Sequence, residues 1–205
     1  MVASGNNSAM VSVEELVKAN PDVDPFLIKK WEYIFTMFFD RNSSHQMDWG
    51  DFYLVVRKVR DVYGADSVQT DFAKKTLAAL WEGLCSLADS DKDQLISIEE
   101  WIHLLKKTSA QKDTKWFSDY EHFMFKLFDV SCDGVMDVVE YNDGMSVYGF
   151  KLPASTEAFK KFAVDKKGAY TGKVHPKEWT QYFNEFFWST DKKLAGNHLF
   201  GILEF

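Results

Sequence analysis

Apolar residues recur at spacings of three and four along most of the chain, the pattern of helices that bury one face. Leu27, Trp31, Ile34, Phe35 and Phe38 form the first long stripe. Phe52, Val55, Val56 and Val59 form a second, and Leu77, Leu80, Trp81, Leu84 and Leu87 a third. Tyr120, Phe123, Met124, Leu127 and Phe128 follow, then Trp179, Tyr182, Phe183 and Phe186. Start signals agree with the stripes. Ser12 with Glu15 reads as a capping box opening a short helix that Asn20-Pro21 closes. Asp24-Pro25 places a cap and a preorganised first residue ahead of the first stripe. No long run alternates with period two, so the chain is expected to be all-α.

The polar segments between stripes repeat. When Asp40, Asp89, Asp129 and Lys167 are taken as position 1 of four windows, the starts lie 49, 40 and 38 residues apart. Five residues before each start stand Phe35, Leu84, Met124 and Phe162; position 8 holds Met47, Ile96, Met136 and Val174. Position 13 holds Phe52, Trp101, Tyr141 and Trp179, and position 17 holds Val56, Leu105, Met145 and Phe183. All sixteen positions are apolar or aromatic. Such register over four windows predicts four helix-loop-helix units. They are expected to pair into two lobes packed as one compact protein. Residues 12–109 hold loops 40–51 and 89–100, residues 110–190 hold loop 129–140 and a degenerate loop 167–178, and a tail, 191–205, packs on the lobes.

The windows carry hard oxygen donors at calcium-loop spacing: positions 1, 3 and 5, a carbonyl at 7, a water-mediated contact at 9 and a bidentate carboxylate at 12, with glycine at 6 for the turn. The third window fits best, with Asp129, Ser131, Asp133, the Val135 carbonyl, Asp137 and Glu140 around Gly134. The second offers Asp89, Asp91, Asp93, the Leu95 carbonyl, Ser97 and Glu100, but Gln94 stands where glycine belongs. Placing a side-chain-bearing residue in the left-handed region costs roughly 1–2 kcal/mol, less than four carboxylates gain from a divalent ion. The first window presents Asp40, Asn42, Ser44, the Gln46 carbonyl, Asp48 and Asp51, with His45 at position 6. Aspartate at position 12 is one methylene short and is expected to bind through one oxygen. That lower coordination tilts the loop toward magnesium. The expectation is two clear calcium sites and a third, weaker one open to magnesium. The fourth window keeps Gly172, Val174 and Glu178 but has Lys167, Ala169 and Thr171 at the ligand positions, so it is expected to be empty.

Composition narrows the classes. The 205 residues carry 24 Lys and Arg against 31 Asp and Glu, a net charge of -7, which argues against a nucleic-acid binder. The eleven carboxylates at ligand positions account for the imbalance: without them, 20 acids face 24 bases. Cys85 and Cys132 give no disulfide framework, which points to a reducing, cytoplasmic setting. No apolar run reaches the roughly 18 residues of a membrane helix, and Met1-Val2-Ala3-Ser4-Gly5 has no signal-peptide profile. The five histidines show no metal-ligand spacing, and no P-loop, catalytic triad or cofactor motif points to an enzyme. A monomer without nucleic-acid or membrane partners is expected; a protein partner is left open.

With its loops placed, the chain resembles the EF-hand superfamily and, within it, the sarcoplasmic calcium-binding proteins and calexcitins of invertebrates. The resemblance covers nearly the whole length. Asp48-Trp49-Gly50-Asp51-Phe52 and the tail Gly196-Asn197-His198-Leu199-Phe200-Gly201 are its more specific signs. His45 departs from the glycine of calexcitins. The resemblance implies two paired EF-hand lobes, calcium buffering in muscle or neurons, and a signalling role. Few methionines can line a helix groove here, only Met37, Met124 and Met145, whereas Phe and Trp dominate. This favours a buffer or modest sensor over an adaptable adaptor. The alternative is a coelenterazine photoprotein or luciferin-binding protein, which shares the four-unit plan. Photoproteins typically end in proline, whereas this chain ends in Glu204-Phe205.

Overall fold

A computed structural model describes residues 11–110 and 115–203. The first five residues, the terminal Glu204-Phe205 and the start of the proposed second unit around residues 111–114 lie outside the described residues. Among the described residues the helices are α1 (Val13–Ala19), α2 (Pro25–Ile34), α3 (Trp49–Tyr63), α4 (Val68–Ala88), α5 (Ile98–Ala110), α6 (Lys115–Phe128), α7 (Val138–Val147), α8 (Leu152–Phe162) and α9 (Pro176–Trp188). A π-helical turn, Phe35–Phe39, extends α2, and a 3-10 turn spans Ala195–His198. The predicted starts hold. Ser12 and Glu15 form the reciprocal capping box of α1, and the Asp24 side chain accepts from the Phe26 amide at 2.7 Å ahead of Pro25.

Four strands of two residues each join the loops: β1 (Gln46–Met47), β2 (Ile96–Ser97), β3 (Met136–Asp137) and β4 (Lys173–Val174). In register, Met47 faces Ile96 and Met136 faces Val174, so position 8 pairs with position 8 in both antiparallel ladders. The ladders tie loop 40–51 to loop 89–100 and loop 129–140 to loop 167–178. All sixteen framework side chains are buried, none more than 5% exposed. Rows of apolar residues five before, and eight, thirteen and seventeen into each window therefore converge on one core. Aromatic rings dominate it: Phe39 packs on Phe52, Trp101 and Tyr120, and Phe183 on Phe117, Tyr120, Trp179, Phe187 and Phe200.

The stripes need three corrections. Leu87 is 46% exposed and lines an open cleft with Ala88, Ser90, Glu99, Glu100, His103 and Lys107, because the last turn of α4 runs out toward its loop. On α2, Phe26 and Ile28 are buried while Leu27 is only half-buried, and fully buried Lys30 joins the apolar face. The α2 stripe also does not continue as regular helix to Phe38. The Asp40 amide donates to the Phe35 carbonyl at 2.8 Å, a five-residue step that widens the last turn before the first loop.

Candidate metal centre

The three acidic loops share one frame built from backbone amides. The position-1 carboxylate accepts from the amide at position 6 in each: Asp40 from His45 at 3.0 Å, Asp89 from Gln94 at 3.1 Å, and Asp129 from Gly134 at 3.1 Å. Position 6 is left-handed throughout, with φ of 64° at His45, 63° at Gln94 and 80° at Gly134. Only the glycine takes that conformation without a Cβ penalty. Position 4 is left-handed too, at Ser43, Lys92 and Cys132. This was not legible from the loop pattern, because no glycine marks it.

The position-12 carboxylates close the loops. Glu140 accepts from the Ser131 amide at 2.9 Å and the Asp137 amide at 3.1 Å. Glu100 accepts from the Ser90 and Ser97 amides at 2.9 and 3.0 Å, and from both hydroxyls. Asp51, despite its shorter arm, accepts from the Asn42 amide at 3.0 Å through one oxygen and the Asp48 amide at 2.9 Å through the other. Reaching both amides draws it inward until it is fully buried. Position 9 caps the exit helix in return: Asp48 accepts from Asp51, Ser97 from Glu100, and Asp137 from Val139 and Glu140. Positions 9 and 12 are thus a capping box inside each loop, a spacing visible in Ser97-x-x-Glu100 and Asp137-x-x-Glu140.

The remaining donors differ between loops. Asp89, Asp91 and Asp93 bring carboxylate oxygens within 4.8 Å of one another. Asp93 and Asp133 accept from the amides of Leu95 and Val135, both at 2.8 Å, which leaves the position-7 carbonyls outside these bonds. In the first loop the Ser44 amide donates to Asp40 and Asn42, and its hydroxyl donates to the Gln46 carbonyl at 2.8 Å. That loop already satisfies its own oxygens. In the other two, Asp89 Oδ1 and Asp129 Oδ1 are buried without a hydrogen-bond partner. A buried carboxylate oxygen left unpaired costs several kcal/mol unless a cation or proton meets it. The donor set around both orphans, all hard oxygen, fits a divalent cation of the calcium type.

Charge follows geometry. Burial pushes Asp51 up to about 6, against the pull of the Asp48 and Asn42 amides, with Asp48 and Asp40 adding repulsion. Burial also raises Asp129, helped by Glu140 and Asp133 and opposed by the Gly134 amide. For Glu100 burial pushes upward, but the Ser90 and Ser97 hydrogen bonds outweigh it and hold the carboxyl below the usual range. The fourth loop closes on itself without such a pocket. Asp165 accepts from the amides of Lys167 and Ala169, and Thr171 donates from its amide and hydroxyl to the Ala163 carbonyl. Its left-handed residues are Gly168 and Gly172, at positions 2 and 6. Glu178 reaches only the position-9 amide, of His175.

Four helix-loop-helix units joined in pairs by antiparallel bridges at position 8, with oxygen-lined twelve-residue loops, define an EF-hand protein. No family model matches the chain. A curated relative, Calexcitin-1 of Caenorhabditis elegans, is 68% identical over 198 residues, 97% of each chain. The chain belongs to the calexcitin family. The solved structure of a sarcoplasmic calcium-binding protein from amphioxus superposes with a TM-score of 0.71 at 22% identity, covering 89% of this chain and all of that one. An apoaequorin complex superposes at 0.63 with 18% identity over 86% of this chain and 91% of that one, a likeness of fold.

Proposed function

We propose that this chain is a cytoplasmic calcium-binding protein, a buffer with at most a modest conformational response, that takes metal in loops 89–100 and 129–140. Loop 40–51 is a third, weaker site that magnesium contests, and loop 167–178 is silent. The observation that carries the reading is the pair of orphaned position-1 oxygens, Asp89 Oδ1 and Asp129 Oδ1, the first of them in a loop whose Asp89, Asp91 and Asp93 carboxylates converge. The likeness to the sarcoplasmic calcium-binding protein of amphioxus supports it. The ion would be held by Asp89, Asp91, Asp93, the Leu95 carbonyl and Glu100 in one loop. In the next it would be held by Asp129, Ser131, Asp133, the Val135 carbonyl and Glu140. Ser97 and Asp137 would act through water. Bound calcium supplies the positive charge that cancels repulsion among these carboxylates. The protein's part is to hold the oxygens in place, through the position-6 amide and the capping box. Asp40, Asn42, Ser44, the Gln46 carbonyl and Asp51, with Asp48 behind them, form the self-satisfied third set.

The photoprotein-like alternative needs a cavity for an organic ligand. Among the described residues, the core space lined by Phe38, Phe39, Phe52, Tyr120 and Tyr148 holds about 10 Å³, room for one water, whereas small-molecule sites run from about 300 Å³; the larger clefts, of about 430 Å³ beside Glu178 and about 390 Å³ beside Leu87, are open to solvent. Titration calorimetry with calcium, with and without magnesium, tests the proposal. Two clear sites and a magnesium-sensitive third are expected. Glu140→Ala should remove one clear site, and an unchanged stoichiometry refutes the assignment of loop 129–140.

A further inference from the structure

The segment after α9 is seated the way a recognised peptide is. Leu199 and Phe200 are fully buried, and the Phe200 ring lies 4.9 Å from Phe186, 5.1 Å from Phe38 and 5.6 Å from Phe183. Its backbone is held by side chains of other elements. Tyr33 on α2 donates to the Phe200 carbonyl and Tyr141 on α7 to the Leu199 carbonyl, both at 2.8 Å. Buried Asn197 accepts from Lys30 Nζ of α2 at 3.2 Å and donates to the Asp191 carbonyl at 2.9 Å. The same Lys30 ammonium donates to the Ser189 and Glu185 carbonyls at the end of α9. Gly196 lies so close to α9 that a Cβ would sit 2.6 Å from the Tyr182 carbonyl oxygen, and its amide donates to Glu185 at 3.0 Å. Two adjacent anchor side chains, backbone carbonyls read by hydroxyls, and a glycine at the point of closest approach are how a groove reads a short peptide. Between α9 and this segment, Asp191, Lys192 and Lys193 are exposed, a linker that leaves the segment separable from the helix.

The elements it bridges matter. α2 leads into loop 40–51, α7 leaves loop 129–140 and α9 leaves loop 167–178. In EF-hand sensors metal binding swings such helices apart and bares an apolar groove. Here one short segment is bonded to all three.

We propose that residues 195–201 are a built-in occupant of the aromatic groove between α2, α7 and α9, a strap that keeps the groove closed whether or not the loops hold metal. The inference rests on the calcium reading, since it assigns the strap as the reason that calcium loading leaves the apolar core covered.

The test uses the full chain with Gly196→Ala, whose added methyl cannot coexist with the seated strap. The readouts are hydrophobic-dye fluorescence with and without calcium, amide hydrogen exchange over residues 195–203, and calorimetric stoichiometry. The native chain is expected to show no calcium-dependent dye rise. The variant should keep its metal stoichiometry, lose protection across the strap, and show a several-fold dye rise in calcium. A synthetic peptide of residues 195–203 added in trans should reverse that rise. Asn197→Ala, which removes only the Lys30 and Asp191 contacts, should give a smaller rise of the same kind. Loss of strap protection without a dye rise, or a rise that the peptide leaves untouched, overturns the inference. Misfolding of Gly196→Ala overturns it as well, because a separable strap leaves the remaining fold intact. Loss of calcium binding in the native chain would instead sink the calcium reading and is seen separately in the calorimetry.

Discussion

Lys30 offers a sharp test of how the buried core treats charge. Its side chain is fully buried among the rings of Phe26 and Phe186, 4.6 and 5.5 Å from the ammonium. Burial pulls it down from 10.5 to about 7, opposed by the carboxylates of Asp24 at the start of α2 and Glu185 on α9. Lys192 approaches the Phe26 ring from the tail. A base whose pKa falls on folding binds more protons in the unfolded chain than in the folded one between about 7 and 10.5, so the contribution of Lys30 to stability rises with pH there. Each unit is worth about 1.4 kcal/mol. The full depression would amount to about 5 kcal/mol, of which about 2 kcal/mol develops between pH 7 and 9. That figure is an upper bound, because three oxygen acceptors around Nζ favour the ammonium and a neutral amine can donate to only two of them. Above pH 9 the sign turns. Burial raises the Cys85 thiol to about 11 and raises Tyr33, Tyr63 and Tyr148 as well, so these groups ionise first in the unfolded chain and stability falls. Urea midpoints in calcium-free buffer of constant ionic strength, taken at half-unit steps from pH 7 to 9, should climb in the native protein and stay flat in Lys30→Met. A native profile that is flat, or a variant profile that still climbs, refutes the assignment.

Gly144 of α7 faces Phe128 so closely that a Cβ would lie 2.1 Å from its ring; Gly144→Ala should cost about 1–3 kcal/mol through overpacking, read as a lowered urea midpoint at constant slope. Gln94→Gly should stabilise the metal-free protein by up to about 1 kcal/mol, the relieved left-handed strain less the extra chain entropy, and the reciprocal Gly134→Gln should destabilise it; equal midpoints for all three proteins would show that position 6 is unstrained. Phe200→Ala should cost about 3–5 kcal/mol and leave calcium stoichiometry intact, measured by urea titration and calorimetry on the same sample.

The repeat was legible because burial leaves a periodic mark. Each framework column is apolar in all four windows, and the packing of Met47 on Ile96 and of Met136 on Val174 follows from pairing equal positions. Helix starts were legible wherever a cap is a local event, as at Ser12 and Asp24. What escaped depends on partners distant in sequence. Lys30 reads as an exposed helix lysine until α9, 155 residues away, supplies its carbonyl. Arg41 looks like a solvated loop residue, yet its guanidinium bonds the Met37 carbonyl inside the π-helical turn and the Tyr148 carbonyl at the end of α7. Gln69 likewise donates to Val130 in the third loop, so each of these loops is tied to the other half of the molecule. The π-helical turn itself has no local signature: Phe35 and Phe38 fit a regular helix equally well, and only the ring of Tyr148, 4.6 Å from that of Phe38, shows where the chain had to go.

The closing carboxylates bear on the choice between buffer and sensor. In each acidic loop the position-12 oxygens already lie on two amides, one at position 9 and one at position 2 or 3. The bond to position 9 belongs to the exit helix and the other bond to the loop. The position-9 side chain meanwhile caps the same helix on its own. A carboxylate that turns toward a cation therefore gives up one intraloop bond in loops 40–51 and 129–140, and two, both from Ser90, in loop 89–100, each about 1–3 kcal/mol for a charged acceptor, while the exit helix keeps its cap and its first turn. Reorganisation confined to one bond in loop 129–140 leaves little to drive α7 away from the strap that Tyr141 holds. Tight retention of the loop frame and a closed groove are then two results of one arrangement, and both favour a protein that holds calcium over one that displays a new surface when calcium arrives.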